Sequence, residues 1–120
     1  MRLPQWESAW VHPSKLTDYL LSETHEEGAG KAAFLRSVGF SESNADLLEA
    51  GLLAIAHEEE VARTEVTPYG VKYVVYGTMH APDGEIIELL TVWSIDAGQE
   101  SPRLVTAYPR HLGRWRSSDG

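Results

Sequence analysis

Hydrophobic positions recur along this chain at two different periods, and the change comes near residue 60. Before it the spacing is helical. Leu16, Tyr19 and Leu20 recur at i, i+3 and i+4, which marks one apolar face of a short helix. Pro13 suits the first turn of that helix, where a missing N–H costs nothing. Residues 22–30 are polar and contain glycine, so they read as a loop. Lys31 to Val38 reads as a second helix, and Gly39 fits the left-handed position just past its end. In the third helix Leu48, Leu52, Ile55 and Ala56 form an apolar stripe. Ser41 or Ser43 can cap it, with Asp46 as the capping-box partner of Ser43. Gly51 inside that helix costs about 1 kcal/mol relative to alanine, which points to close packing there. The acids Glu58, Glu59 and Glu60 end the helix, facing the negative end of its dipole. Trp6 and Trp10 belong to no clear element.

From Val61 the period becomes two. Val61 to Thr67 reads as a first strand, and Thr67-Pro68-Tyr69-Gly70 as a turn. Val71 to His80 is β-branched and aromatic, which predicts a second strand. Ala81-Pro82-Asp83-Gly84 carries a strong turn signal, Glu85 to Ile95 follows as a third strand, and Arg103 to Tyr108 as a fourth. Short loops between successive strands predict an antiparallel meander. Helices first and strands after predict an α+β fold, with the N-terminal helices packed on a four-stranded antiparallel sheet.

Composition narrows the function classes. A chain of 120 residues is the size of one domain, and 42% apolar content suits a folded core. Residues 110–120 form a basic tail on it. Cysteine is absent, which excludes disulfides and thiolate metal sites. No apolar signal segment opens the chain and no stretch is long enough to span a membrane, so a cytoplasmic location without membrane contact is the expectation. The net charge of −8 argues against broad electrostatic binding of nucleic acid. Arg103, Arg110, Arg114 and Arg116 nevertheless gather late, and such a segment can hold a phosphate backbone or an acidic partner, or be a solvated tail.

Two polar islands are the candidate chemistry. His25-Glu26-Glu27-Gly28-Ala29-Gly30-Lys31 precedes the second helix, and Pro102 to Pro109 contains the last strand. Gly28-Ala29-Gly30-Lys31 is a fragment of a phosphate-binding loop, without the preceding strand, the glycine spacing or the Ser/Thr of the full motif. A helix N-terminus beside Lys31 can still hold one phosphate, and His25 can act as acid or base. On spacing alone, a loop histidine at His25 and a surface lysine at Lys31 are the favoured reading. In the last strand, alternation puts Leu104, Thr106 and Tyr108 on one face and Arg103, Val105 and Ala107 on the other. Thr106 and Tyr108 then line a shallow site if Val105 and Ala107 face the helices, and Arg103 reaches it only through a twist. The remaining histidines, His12, His57, His80 and His111, lack metal-ligand spacing, so no metal or other cofactor is expected. Trp93 belongs to the core.

Lys15 to Leu21, Thr24-His25, Gly28, Lys31 to Phe34 and Gly39-Phe40 resemble a small bacterial family of unknown function. Tyr69-Gly70, Lys72-Tyr73, Pro82-Asp83-Gly84, Val92-Trp93 and residues 102–109 continue the likeness, which spans residues 13–109. Members are often labelled "adhesin", because similar domains end long secreted toxins. That ending is similar to RNase toxins of the barnase, EndoU, colicin and RelE type. The resemblance implies metal-independent RNA cleavage through the 2′-hydroxyl. His25 would be the acid or base, Lys31 and Arg103 would stabilise the phosphate, and Thr106 and Tyr108 would donate or position. The chain starts at its own Met, which implies a stand-alone intracellular version with a small antitoxin partner. The strong acidity instead suits a non-enzymatic binding module of antitoxin or immunity type, because acidic proteins neutralise basic nucleases.

Overall fold

The computed structural model describes residues 1–22 and 29–110. Its strands are β1 (Val61–Thr67), β2 (Gly70–His80), β3 (Ile86–Asp96) and β4 (Arg103–Pro109), in one antiparallel sheet of order β1-β2-β3-β4. The expected meander and α+β architecture are both present. The turns hold for local reasons. Thr67 Oγ1 accepts from the Tyr69 N–H at 3.2 Å and donates to the Gly70 carbonyl at 2.9 Å. Gly70 has φ +148°, and a Cβ there would lie 2.4 Å from the Ile95 carbonyl oxygen, so only glycine fits. In the next turn, Asp83 Oδ1 accepts from the Glu85 N–H at 2.9 Å.

The helical layer consists of α1 (Pro13–Lys15), a π-helical turn (Leu16–Leu20), α2 (Ala29–Ser37) and α3 (Ala45–Glu58). The π turn is a departure from the simple helix expected. It closes with the Leu21 N–H donating to the Leu16 carbonyl at 2.9 Å. A turn bonded from i to i+5 brings Leu16 and Leu21 into line, so that Leu16, Leu20 and Leu21 are all buried. Gly39 takes φ +108° after α2, as its position predicts. The cap before α3 differs from expectation. Ser41 caps a 3-10 turn (Glu42–Asn44), and its reciprocal partner is Asn44, whose Oδ1 accepts from the Ser41 N–H at 2.7 Å.

The core lies between α3 and the sheet face that carries Tyr73, Val75, Gly77 and Met79 of β2. These pair with Trp93, Thr91, Leu89 and Ile87 of β3. A Cβ on Gly51 would meet Met79 Sδ at 2.7 Å, and one on Gly77 would meet Ile55 Cγ1 at 2.7 Å. The two glycines therefore let α3 approach β2 closely. Trp93 is 0% exposed and donates from Nε1 to Thr91 Oγ1 at 2.8 Å. Thr91 Oγ1 donates in turn to the Val75 carbonyl at 2.7 Å, so the buried polar atoms are satisfied.

The first ten residues form a strap from one sheet edge to the other. At one end Arg2 bridges Glu60, and the Val61 N–H donates to the Met1 carbonyl. A 3-10 turn follows (Trp6–Ser8). At the other end Trp10 bridges Arg103 in parallel, its N–H donating to the Pro102 carbonyl and its carbonyl accepting from the Leu104 N–H, both at 3.0 Å. The strap delivers α1, the π turn and α2 to the β4 edge.

Candidate functional site

β4 does not alternate evenly. Val92 pairs with Thr106 but Trp93 pairs with Leu104, so Val105 is an extra residue, a β-bulge. The bulge changes the expected division of faces. Leu104 and Ala107 lie opposite Trp93 and Thr91 and are both buried on the core face. Thr106 and Tyr108 lie opposite Val92 and Leu90, on the other face. Because β4 is an edge strand, side chains of the helical layer can reach round to them.

Lys31 and Tyr19 do so. Lys31 stands in the first turn of α2 and is only 8% exposed, not the surface lysine that spacing alone suggested. Its Nζ donates to Tyr19 Oη at 2.5 Å and to Thr106 Oγ1 at 3.1 Å. The two hydroxyls lie 3.3 Å apart. The ammonium also sits 4.5 Å from the Tyr19 ring centroid and 4.2 Å from that of Tyr108. Among the described residues no carboxylate pairs with it. An ammonium out of water normally has one, because desolvation costs several kcal/mol per ion. Here hydroxyls and ring faces take that place. The arrangement can receive a small anion, with one N–H of Lys31 not taken up among the described residues and the half-exposed Tyr108 beside it.

Three of the five sequence candidates therefore meet: Lys31, Thr106 and Tyr108. Arg103 stands apart, at the start of β4. Its Nε donates to Asp96 Oδ2 at 2.7 Å and its Nη2 to Oδ1 at 3.3 Å. Hydrogen bonds from Arg103 and then Ser94 hold the Asp96 carboxyl below the usual aspartate range. Arg103 is thus held by an acid three residues from Thr106. His25 lies outside the described residues, as do Glu26, Glu27, Gly28 and the tail arginines Arg114 and Arg116. Among the described residues, no three His, Asp or Glu side chains converge as a metal site would require. No described helix is long and apolar enough to cross a membrane.

Tyr19 is the site residue that sequence reasoning missed. It sits in a leucine stripe and so reads as core. The signal was its hydroxyl, since a partly buried tyrosine needs a polar partner.

A family model for a domain of unknown function, DUF6883, matches residues 2–111. The chain belongs to that family. Among curated proteins, none matches the sequence. The DUF6883 fold is similar to that of a solved chain from a contact-dependent growth inhibition toxin–immunity protein complex of Klebsiella pneumoniae 342. The TM-score is 0.72 at 16% identity, over 88% of this chain and 97% of that one. At that identity the likeness concerns the fold. Lys31, Thr106 and Tyr108 of this DUF6883 domain all lie within the matched family span.

Proposed function

We propose that this domain is a toxin-type endoribonuclease that cleaves RNA through the 2′-hydroxyl without a metal ion. The observation that carries the reading is the buried Lys31 ammonium, held by two hydroxyls and two aromatic rings with no carboxylate partner among the described residues. Such a group suits a phosphodiester better than a neutral ligand. In the reaction, the 2′-oxygen attacks phosphorus and gives its proton to a base. The bond from phosphorus to the 5′-oxygen breaks, and that oxygen takes a proton from an acid. The products are a 2′,3′-cyclic phosphate and a free 5′-hydroxyl. Lys31 would stabilise the negative charge that builds on the phosphorane, and Thr106 and Tyr108 would donate to its oxygens. His25 supplies the acid or base in this reading. Arg103, already paired with Asp96, takes no part.

The fold likeness to a chain of a toxin–immunity complex supports a toxin-type role with a small protein partner. The net charge of −8 favours a second reading, an acidic immunity-type protein that covers a basic nuclease.

Expression from a tightly controlled promoter separates the two. The nuclease reading expects growth arrest, cleavage of cellular RNA to 2′,3′-cyclic ends, and relief by His25→Ala or Lys31→Met. A harmless wild type whose purified form leaves RNA intact would refute it. Protection of cells from a co-expressed nuclease would establish the immunity reading.

A further inference from the structure

Lys31 is not the only cation against the Tyr19 ring. Lys15, at the end of α1, places its Nζ 4.8 Å from the same ring centroid that Lys31 approaches at 4.5 Å. Two ammonium groups thus share one aromatic ring, and among the described residues neither has a carboxylate partner. Like charges held this close repel, and a polyanion lying across both would relieve them. The two are no farther apart than those two distances laid end to end, a span that neighbouring phosphates of one strand can bridge.

A third feature continues the line. Trp10 is 42% exposed although its backbone is fixed on both sides by β4, and the His12 ring braces it at 6.1 Å. An exposed tryptophan on an immobilised backbone is a stacking platform with little entropy left to lose. It bridges Arg103, which the Val105 bulge sets two β3 residues, roughly 7 Å, from Thr106. Trp10 is thus fixed to β4 on the Arg103 side of Thr106, which holds Lys31, and Lys15 shares the Tyr19 ring with Lys31.

We propose that Trp10 and Lys15 form a flanking subsite for single-stranded RNA, with Lys15 on the phosphate next to the one held at Lys31 and Trp10 stacked on a base beyond it. The subsite rests on the nuclease reading and extends it, making the substrate a strand with at least two phosphates and a splayed base. Duplex RNA keeps its bases stacked and offers none to Trp10.

The test uses the full chain and 2′-O-methyl oligonucleotides, which cannot be cut. Anisotropy gives the affinity for a hexanucleotide and for a dinucleotide with one phosphodiester, over a series of KCl concentrations. Lys15→Gln is expected to lower the hexanucleotide salt slope by about 0.7, the value for one lost phosphate contact on a single strand. Lys15→Arg is expected to retain the slope. Trp10→Ala is expected to weaken hexanucleotide binding by roughly 5- to 150-fold and leave the dinucleotide unchanged, while Trp10→Phe retains most of the affinity. Should Trp10→Ala melt below the assay temperature, Lys15→Gln decides alone. If the wild type cleaves RNA but these variants match it in slope and affinity, the subsite is overturned and the nuclease reading stands. Equal binding of a hairpin duplex, insensitive to Trp10→Ala, also overturns it. If the wild type neither binds nor cleaves RNA, both readings fall.

Discussion

Replacing Lys31 with methionine should separate stability from function. The ammonium loses most of its water in the folded chain, being 8% exposed, which costs several kcal/mol. Against this stand two hydrogen bonds to a charged group, about 1.5–3 kcal/mol each, and two ring contacts, about 0.5–2 kcal/mol each. These terms nearly cancel. Methionine removes the desolvation cost, fills much of the same space, and leaves Tyr19 Oη and Thr106 Oγ1 bonded to each other. The expected result is a gain of about 0–2 kcal/mol, or up to roughly 8 °C in Tm. The same change should cost RNA cleavage roughly 100- to 1000-fold, as loss of one transition-state donor does. Thermal unfolding followed by circular dichroism, in phosphate and in chloride of equal ionic strength, reads stability and anion binding, and a cleavage assay on RNA reads the loss of activity. Phosphate at tenfold its Kd should stabilise the wild type by about 1.4 kcal/mol and the variant not at all. A variant more than about 1 kcal/mol less stable than the wild type, or equally stabilised by phosphate, would refute the reasoning. The ammonium would then be a structural strut.

Other expectations concern the scaffold. Thr91→Val should cost about 1–3 kcal/mol in urea unfolding, because it leaves the Trp93 indole N–H and the Val75 carbonyl without Thr91 as their partner. Gly77→Ala should destabilise by about 1–3 kcal/mol, since the new Cβ meets the stiff, β-branched Ile55. Gly51→Ala should cost less, because Met79 can swing aside and alanine gains helix propensity; equal losses for the two would contradict the packing described. The Asp96–Arg103 pair is more than a third exposed on both sides, so Asp96→Asn should change stability at pH 7 by at most about 1 kcal/mol. The folded carboxyl titrates below its unfolded value. The contribution is thus complete above the unfolded pKa and lost as pH falls through the folded one, below about pH 4. Unfolding curves of wild type and variant should converge there.

The architecture was legible because local signals agreed. Gly39, Pro82-Asp83-Gly84 and the turn after Thr67 each mark an end, and β1 runs over the residues that alternation predicts. The stripe of Leu48, Leu52, Ile55 and Ala56 names the buried face of α3. The site was only partly legible. Thr106 and Tyr108 stand out as polar residues at alternate positions, but the Val105 bulge that turns Leu104 and Ala107 to the same face has no local signature. Tyr19 hides among leucines because periodicity does not distinguish a ring that packs from one whose hydroxyl works. The burial of Lys31 depends on contacts 75 residues away along the chain. No window of sequence contains that information.

Those long separations bear on when the domain becomes competent during synthesis. Tyr19 meets Thr106 across 87 residues, and the strap meets β4 across nearly the whole chain. Contacts so distant in sequence must wait for the final strand to leave the ribosome, and their loops close late. A nascent chain ending before β4 carries Lys31 and Tyr19 without Thr106 and Tyr108. A harmful activity built this way would stay silent until β4 has been made, leaving time for a protective partner to be on hand when that strand docks.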